Sequence, residues 1–153
     1  MNAYGWLKFL HALSVIVWLG GIAGLAVVTW RVAREGNRAV VAAVVRHATF
    51  FGQWIVGPAS GLVLLSGLAM VGMARIGFAT FWVLWGYGGI VVHGVTGGVF
   101  LRKRIAELAQ IASEQSGNDV ALVTAGRRLW TRQLVYLLLL ATVVAAMIFK
   151  PTL

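Results

Sequence analysis

Two histidines lie in stretches that carry almost no charge. His11 falls in Lys8–Leu25 (KFLHALSVIVWLGGIAGL), one turn after a lone lysine, with Ser14, Trp18 and Gly21 on the same helical face. His93 falls in a second such stretch, with Gly86, Gly89 and Gly97 at spacings of three or four on its side. A neutral imidazole offers a lone pair to a metal, and two imidazoles from facing helices can hold a haem iron from both sides. A glycine-lined face leaves room for a flat ring against the backbone. The first reading is therefore a b-type haem, with His11 and His93 as iron ligands and Ser14, Trp18, Gly86, Gly89 and Gly97 lining its pocket. Imidazole also suits copper, and in that reading His11, Met70 and Met73 matter and His93 less. A third reading makes both histidines structural, each bonding a neighbouring hydroxyl or carbonyl, in a small accessory subunit of a membrane complex. His47 follows Arg46 and reads as an interfacial residue.

The elements that must position these residues follow from the composition. The 153 residues are 60% hydrophobic and 11% charged, with a mean hydropathy of +0.88. Soluble domains carry about 25% charged residues, so this chain is read as an integral membrane protein of one domain. The first apolar run is too long for the core of a cleavable signal peptide and is expected to remain as a span. The absence of cysteine excludes disulfides, thiolate metal sites and covalently attached haem. With no acidic residue in the apolar stretches, a carboxylate-based proton pump or ion carrier is disfavoured. The net charge of +9 reflects membrane topology rather than nucleic acid, because the basic residues cluster between apolar runs.

Four spans are expected, at about 6–31, 47–74, 78–101 and 130–149, each near the roughly 20 residues a membrane helix needs. The fold class is all-α, a four-transmembrane-helix antiparallel bundle with an inner basic loop over 102–129. Arg31, Arg34, Arg38 and Arg46 lie on the same side as Arg102, Lys103, Arg104, Arg127, Arg128 and Arg132. Only Lys8, Arg75 and Lys150 lie on the other. The excess of positive charge marks the cytoplasmic side and leaves both termini outside, in a bacterial inner membrane. Pro58 should kink the second helix, Gly77 should close it, and Ser113–Asp119 reads as the most mobile loop. Close packing is expected through Gly20 and Gly24, Gly57 and Gly61, and Gly94 and Gly98. Counting residues back from the turns near Gly36 and Gly77 sets both His11 and His93 level with about Gly61, beside the proline. Trp6, Trp30, Trp82 and Trp130 read as interfacial anchors, and Trp18, Trp54 and Trp85 as deeper rings. Gln53, Ser60, Ser66 and Thr96 could line a cavity.

LHALSVIVWLGG, VGPASGLVLLSGLAM, the RKR after the third span and RRLWTRQLVYLLLL resemble the CopD-like group of four-helix bacterial membrane proteins over nearly the whole chain. The His-to-Trp spacing with Gly20-Gly21 is also similar to the first helix of the HemJ-like membrane oxidases. The resemblance implies a membrane haem or copper role, with His11 as the family's first-helix histidine. The expected function is b-type haem binding for electron transfer or a haem-linked oxidoreduction. The partners this reading admits are the lipid bilayer, a quinone or redox partner protein, and a second copy of the chain.

Overall fold

The computed structural model describes residues 2–97, 102–114 and 119–151, which are helical apart from short turns and contain no strand. Helix α1 spans Ala3–Glu35, α2 Arg38–Phe51, α3 Gly57–Met73, α4 Phe81–Val95, α5 Arg102–Ser113 and α6 Asp119–Phe149. Three rods, Ala3–Glu35, Arg38–Met73 and Val120–Phe149, are long and apolar enough to cross a membrane, and Phe81–Val95 is a shorter apolar helix.

The helix ends follow from local chemistry. Asn2 caps α1 by accepting the Gly5 N–H at 2.9 Å, and Asn37 caps α2 by accepting the Val40 N–H at 3.2 Å. Gly36 ends α1 with a φ of 71°, a left-handed value that costs glycine little. α3 stops at Met73, and Gly77 lies in the following turn, where Thr80 Oγ1 donates to its carbonyl.

α2 and α3 form one rod through a π-helical turn at Gly52–Val56, in which the Gly57 N–H reaches back to Gly52 O. Pro58 follows directly. It has no N–H to donate, and its ring crowds the carbonyl four residues back, so the helix widens there.

The chain between the third and fourth apolar segments differs from the expected basic loop. Among the described residues of 102–129, Arg102–Ser113 form α5 and the remainder from Asp119 open α6, so the helix that carries the expected span from about 130 starts before it. Arginine, alanine and leucine are strong helix formers, so charge that marks a segment as lying outside the lipid does not stop it being helical. Ser113 closes α5 and Asp119 opens α6, while 115–118 lie outside the described residues, as do 98–101 at the expected end of the third span. Arg38 at the start of α2 donates to the Ile111 carbonyl at 2.6 Å, which clamps the end of α5.

The outer surface is apolar, with Ile16, Leu65 and Leu138 all more than 60% exposed, as expected where lipid replaces water. α1 packs on α3 and on α6, α4 packs on α6, and α2 packs on α5. One core holds Trp18, Ile22, Val56, Ala59, Val63 and Leu140. A second, at the basic end, holds Val41, Val45, Leu108, Ala112, Leu122 and Leu129. A third gathers Val71, Trp82 and Val83. Lys150 caps the Trp82 ring, with Nζ 5.5 Å from its centroid.

The glycines that bring helices together are not the expected pairs. Gly20, Gly24, Gly61 and Gly94 have no neighbour where a Cβ would point, Gly57 meets only its own helix, and Gly98 lies outside the described residues. Close approach instead occurs at Gly86 under Met147, Gly89 under Val143, Gly126 under Ala33, and at Gly21, where a Cβ would stand 2.8 Å from Val56 Cγ2. Spacing alone picks out small residues, but only the choice of face shows which of them meet a neighbour.

Gly89→Val should therefore lower the unfolding midpoint in detergent by the equivalent of ~1–3 kcal/mol, the usual range for overpacking. Gly24→Ala should stay within ~0.5 kcal/mol of wild type. Parallel thermal melts of the two variants check the assignment.

Candidate functional site

His11 faces α3. Its Nδ1 lies 2.9 Å from Ser66 Oγ, and the Ser66 hydroxyl lies 2.5 Å from the Leu62 carbonyl oxygen. A hydroxyl has one proton, so with that proton given to Leu62 the imidazole donates its Nδ1–H to Ser66. Gly67 lets the ring lie close, since a Cβ there would stand 3.3 Å from His11 Cε1. The partner is thus Ser66, five residues beyond the expected level of Gly61. The π-helical turn widens the helix by about one residue and so accounts for only part of this offset. A Cβ on Gly21 would meet Val56, the last residue of that turn, and Phe51, the residue before it.

His93 faces a different neighbourhood. Its ring meets Trp18 of α1 edge-on, with centroids 5.1 Å apart at 81°, and Tyr136 of α6 at 6.1 Å and 90°. Backbone contact between α4 and α6 is close, whereas α4 meets α1 here through side chains. Two buried polar atoms here have no hydrogen-bond partner, His93 Nδ1 and Trp18 Nε1, and a third, Gln133 Oε1, lies on α6 about two turns toward the basic end. Gln133 is 5% exposed and precedes Tyr136 by one turn of α6. Tyr87 Oη, nearer the end of the bundle that holds the termini, is a fourth such atom.

The two histidines are not brought together. His93 is level with Trp18, and seven residues separate Trp18 from His11, ~10 Å at ~1.5 Å per residue. The glycine face of α4 is filled by protein, with Met147 over Gly86 and Val143 over Gly89, while Gly97 borders the His93 ring itself. Ser14 is buried on α1 between the two levels. A haem iron shared by His11 and His93 does not fit this arrangement, because one ring is bonded to Ser66 and the face expected to cradle the macrocycle carries α6. No group of three or more His, Asp or Glu able to hold a metal occurs among the described residues.

The remaining candidates are dispersed. Met73 is exposed at the end of α3, and Trp54 and Trp85 are exposed rather than deep. Trp85 Nε1 donates to Thr142 Oγ1 at 3.3 Å. Gln53 and His47 are exposed, Ser60 donates to the Gly57 carbonyl, and Thr96 donates to the Val92 carbonyl. Trp82 is buried at the start of α4 beneath Lys150, and Trp30 and Trp130 stack at 5.1 Å. Gln133 and Tyr136 escape a sequence reading because Gln133 follows Arg132 and looks like the polar edge of a span. The available signal is helical phase, since Gln133 shares a face with Leu129, Tyr136 and Leu140 rather than with Arg128 and Arg132.

The model of a family described as "Predicted integral membrane protein (DUF2269)" matches residues 5–151. No curated protein and no solved structure matches the chain.

The His11–Ser66 bond sets an expected coupling. In a double-mutant cycle with His11→Phe and Ser66→Ala, the interaction energy should be ~0.6 kcal/mol, the average for hydrogen bonds between membrane helices. Chemical unfolding of the four proteins in detergent measures it.

Proposed function

The chain belongs to this family of predicted integral membrane proteins, and on that premise we propose that it is a four-span antiparallel bundle that binds a lipid-soluble, carbonyl-bearing molecule of the quinone class at His93. The observation that carries this reading is the set of partnerless buried atoms on three helices, Trp18 Nε1, His93 Nδ1 and Gln133 Oε1. Each such atom costs ~1–3 kcal/mol while unpaired, and a ligand offering the missing partners removes that cost. Their chemistry is mixed. The indole N–H only donates, the amide oxygen only accepts, and the imidazole nitrogen does either according to tautomer. A carbonyl accepts from Trp18 or His93, and the hydroxyl of its reduced form donates to Gln133 or His93.

The surroundings favour a ligand that arrives through lipid. Val91, Val92 and Val95 expose an apolar face of α4 beside His93, and α4 and α1 are bridged there by rings rather than by packed backbones. In this reading the arginine-rich end faces the cytoplasm of a bacterial inner membrane and both termini lie outside.

A second reading, a b-type haem held by His93 alone, is favoured by the free Nδ1 and by the CopD-like and HemJ-like resemblance. Under it the imidazole supplies one axial nitrogen, and Trp18 and Tyr136 keep the ring upright.

Titration of the purified protein with a short-chain quinone should give saturable binding that weakens at least ~10-fold in His93→Ala and Gln133→Leu and is unchanged in His11→Ala. In the ligand-free state Gln133→Leu should raise the unfolding midpoint, because an apolar group of similar shape replaces an unpaired amide. Binding that ignores both substitutions overturns the proposal. A Soret band in the air-oxidised protein, lost with His93 and kept without His11, selects the haem instead.

A further inference from the structure

The basic end of the bundle carries a cleft of about 540 Å³ between α5 and α6. Arg104 and Glu107 of α5 and Thr124, Arg128 and Arg132 of α6 line it, over a floor that includes the buried Leu129. Arg128 and Arg132 are four residues apart, so their guanidinium groups project from the same side of α6. Glu107 binds Arg104 at 2.6 Å. Among the described residues no carboxylate pairs with Arg128 or Arg132. Three guanidinium groups against one carboxylate leave the cleft with two uncompensated positive charges.

Its depth identifies the occupant. Along α6 the exposed residues change from Arg127, Arg128 and Arg132 to Leu134, Val135 and Leu138 within about one turn. Trp130 lies inside this transition and stacks on Trp30, and Arg34 lies 4.9 Å over the Trp30 ring. Paired tryptophans between arginines and an apolar surface mark the level where headgroups meet acyl chains. A free arginine fork at that level faces lipid phosphate, which it binds in a bidentate manner. Basic clefts between helices at this depth suit anionic headgroups.

From this the geometry points to a binding site for an anionic phospholipid between α5 and α6. Arg128 and Arg132 hold the phosphate, Thr124 donates a further hydrogen bond, and the acyl chains run down the apolar face at the exposed Val135, which continues the arginine side of α6. The two spare charges match a headgroup with two phosphodiesters better than one with a single phosphodiester. The site shares no residue with the His93 cluster, so either can fail without the other.

The test is native mass spectrometry of the full chain in detergent with a doubly charged dimeric phospholipid, phosphatidylglycerol, phosphatidylethanolamine, or inorganic phosphate. Wild type should retain the doubly charged lipid at least ~10-fold more than phosphatidylethanolamine and more than phosphatidylglycerol. R128Q/R132Q should lose that preference. R128K/R132K should keep most of it, which separates loss of the site from loss of the fold, and Arg75→Gln at the opposite end should change nothing. Equal retention of charged and zwitterionic lipids, or a preference that survives in R128Q/R132Q, overturns the proposal. Displacement of the lipid by millimolar inorganic phosphate also overturns it and makes this a site for a free anion.

Discussion

Everything in this bundle depends on how closely α6 can be approached from two sides. Lipid gives helices no hydrophobic reason to associate, so they hold together only where backbones come near enough for dense contact. Here Gly126 of α6 receives Ala33 of α1, while Gly86 and Gly89 of α4 receive Met147 and Val143 of α6. α6 thereby becomes the shared wall between α1 and α4. The ring cluster at His93 exists because this wall sets α1 and α4 at a spacing that an indole and an imidazole bridge edge-on.

The two histidines show opposite ways of placing a polar ring in an apolar interior. His11 is satisfied, with a hydroxyl partner whose own proton goes to the Leu62 carbonyl one turn back. Such a ring joins α1 to α3 and asks for nothing more. His93 is packed on two sides by aromatic rings, and its Nδ1 is left without a partner. Burial with unmet hydrogen bonding is the more informative state, because the interior has little else to offer the group.

Much of this was legible in the residues. The apolar runs declare an all-helical membrane chain, and Gly36-Asn37 declares the first turn. The contribution of Trp18 is legible too, since it lies on the His11 face. What could not be read is pairing across helices. Gly20 and Gly24 have the four-residue spacing of a packing motif and Gly86 and Gly89 do not, yet it is the former pair that faces outward. The partner of His11 could not be read either, because counting back from a turn sets a depth but not the face that meets the neighbour, and the widened turn at Gly52–Val56 shifts the count by about one residue more.

That widened turn has a consequence for how the molecule is divided. Val41 and Val45 before it and Ala59, Val63 and Ser66 after it are all buried, but they serve different companions. The first set belongs with α5 and the opening of α6, and the second with α1. Under-winding at one place re-aims the stripe, so a single uninterrupted rod belongs to two assemblies stacked one above the other. Pro58 opposes a return to regular winding, because its ring would then crowd the carbonyl four residues back. The division between the two cores is thus set inside a continuous helix rather than in a loop.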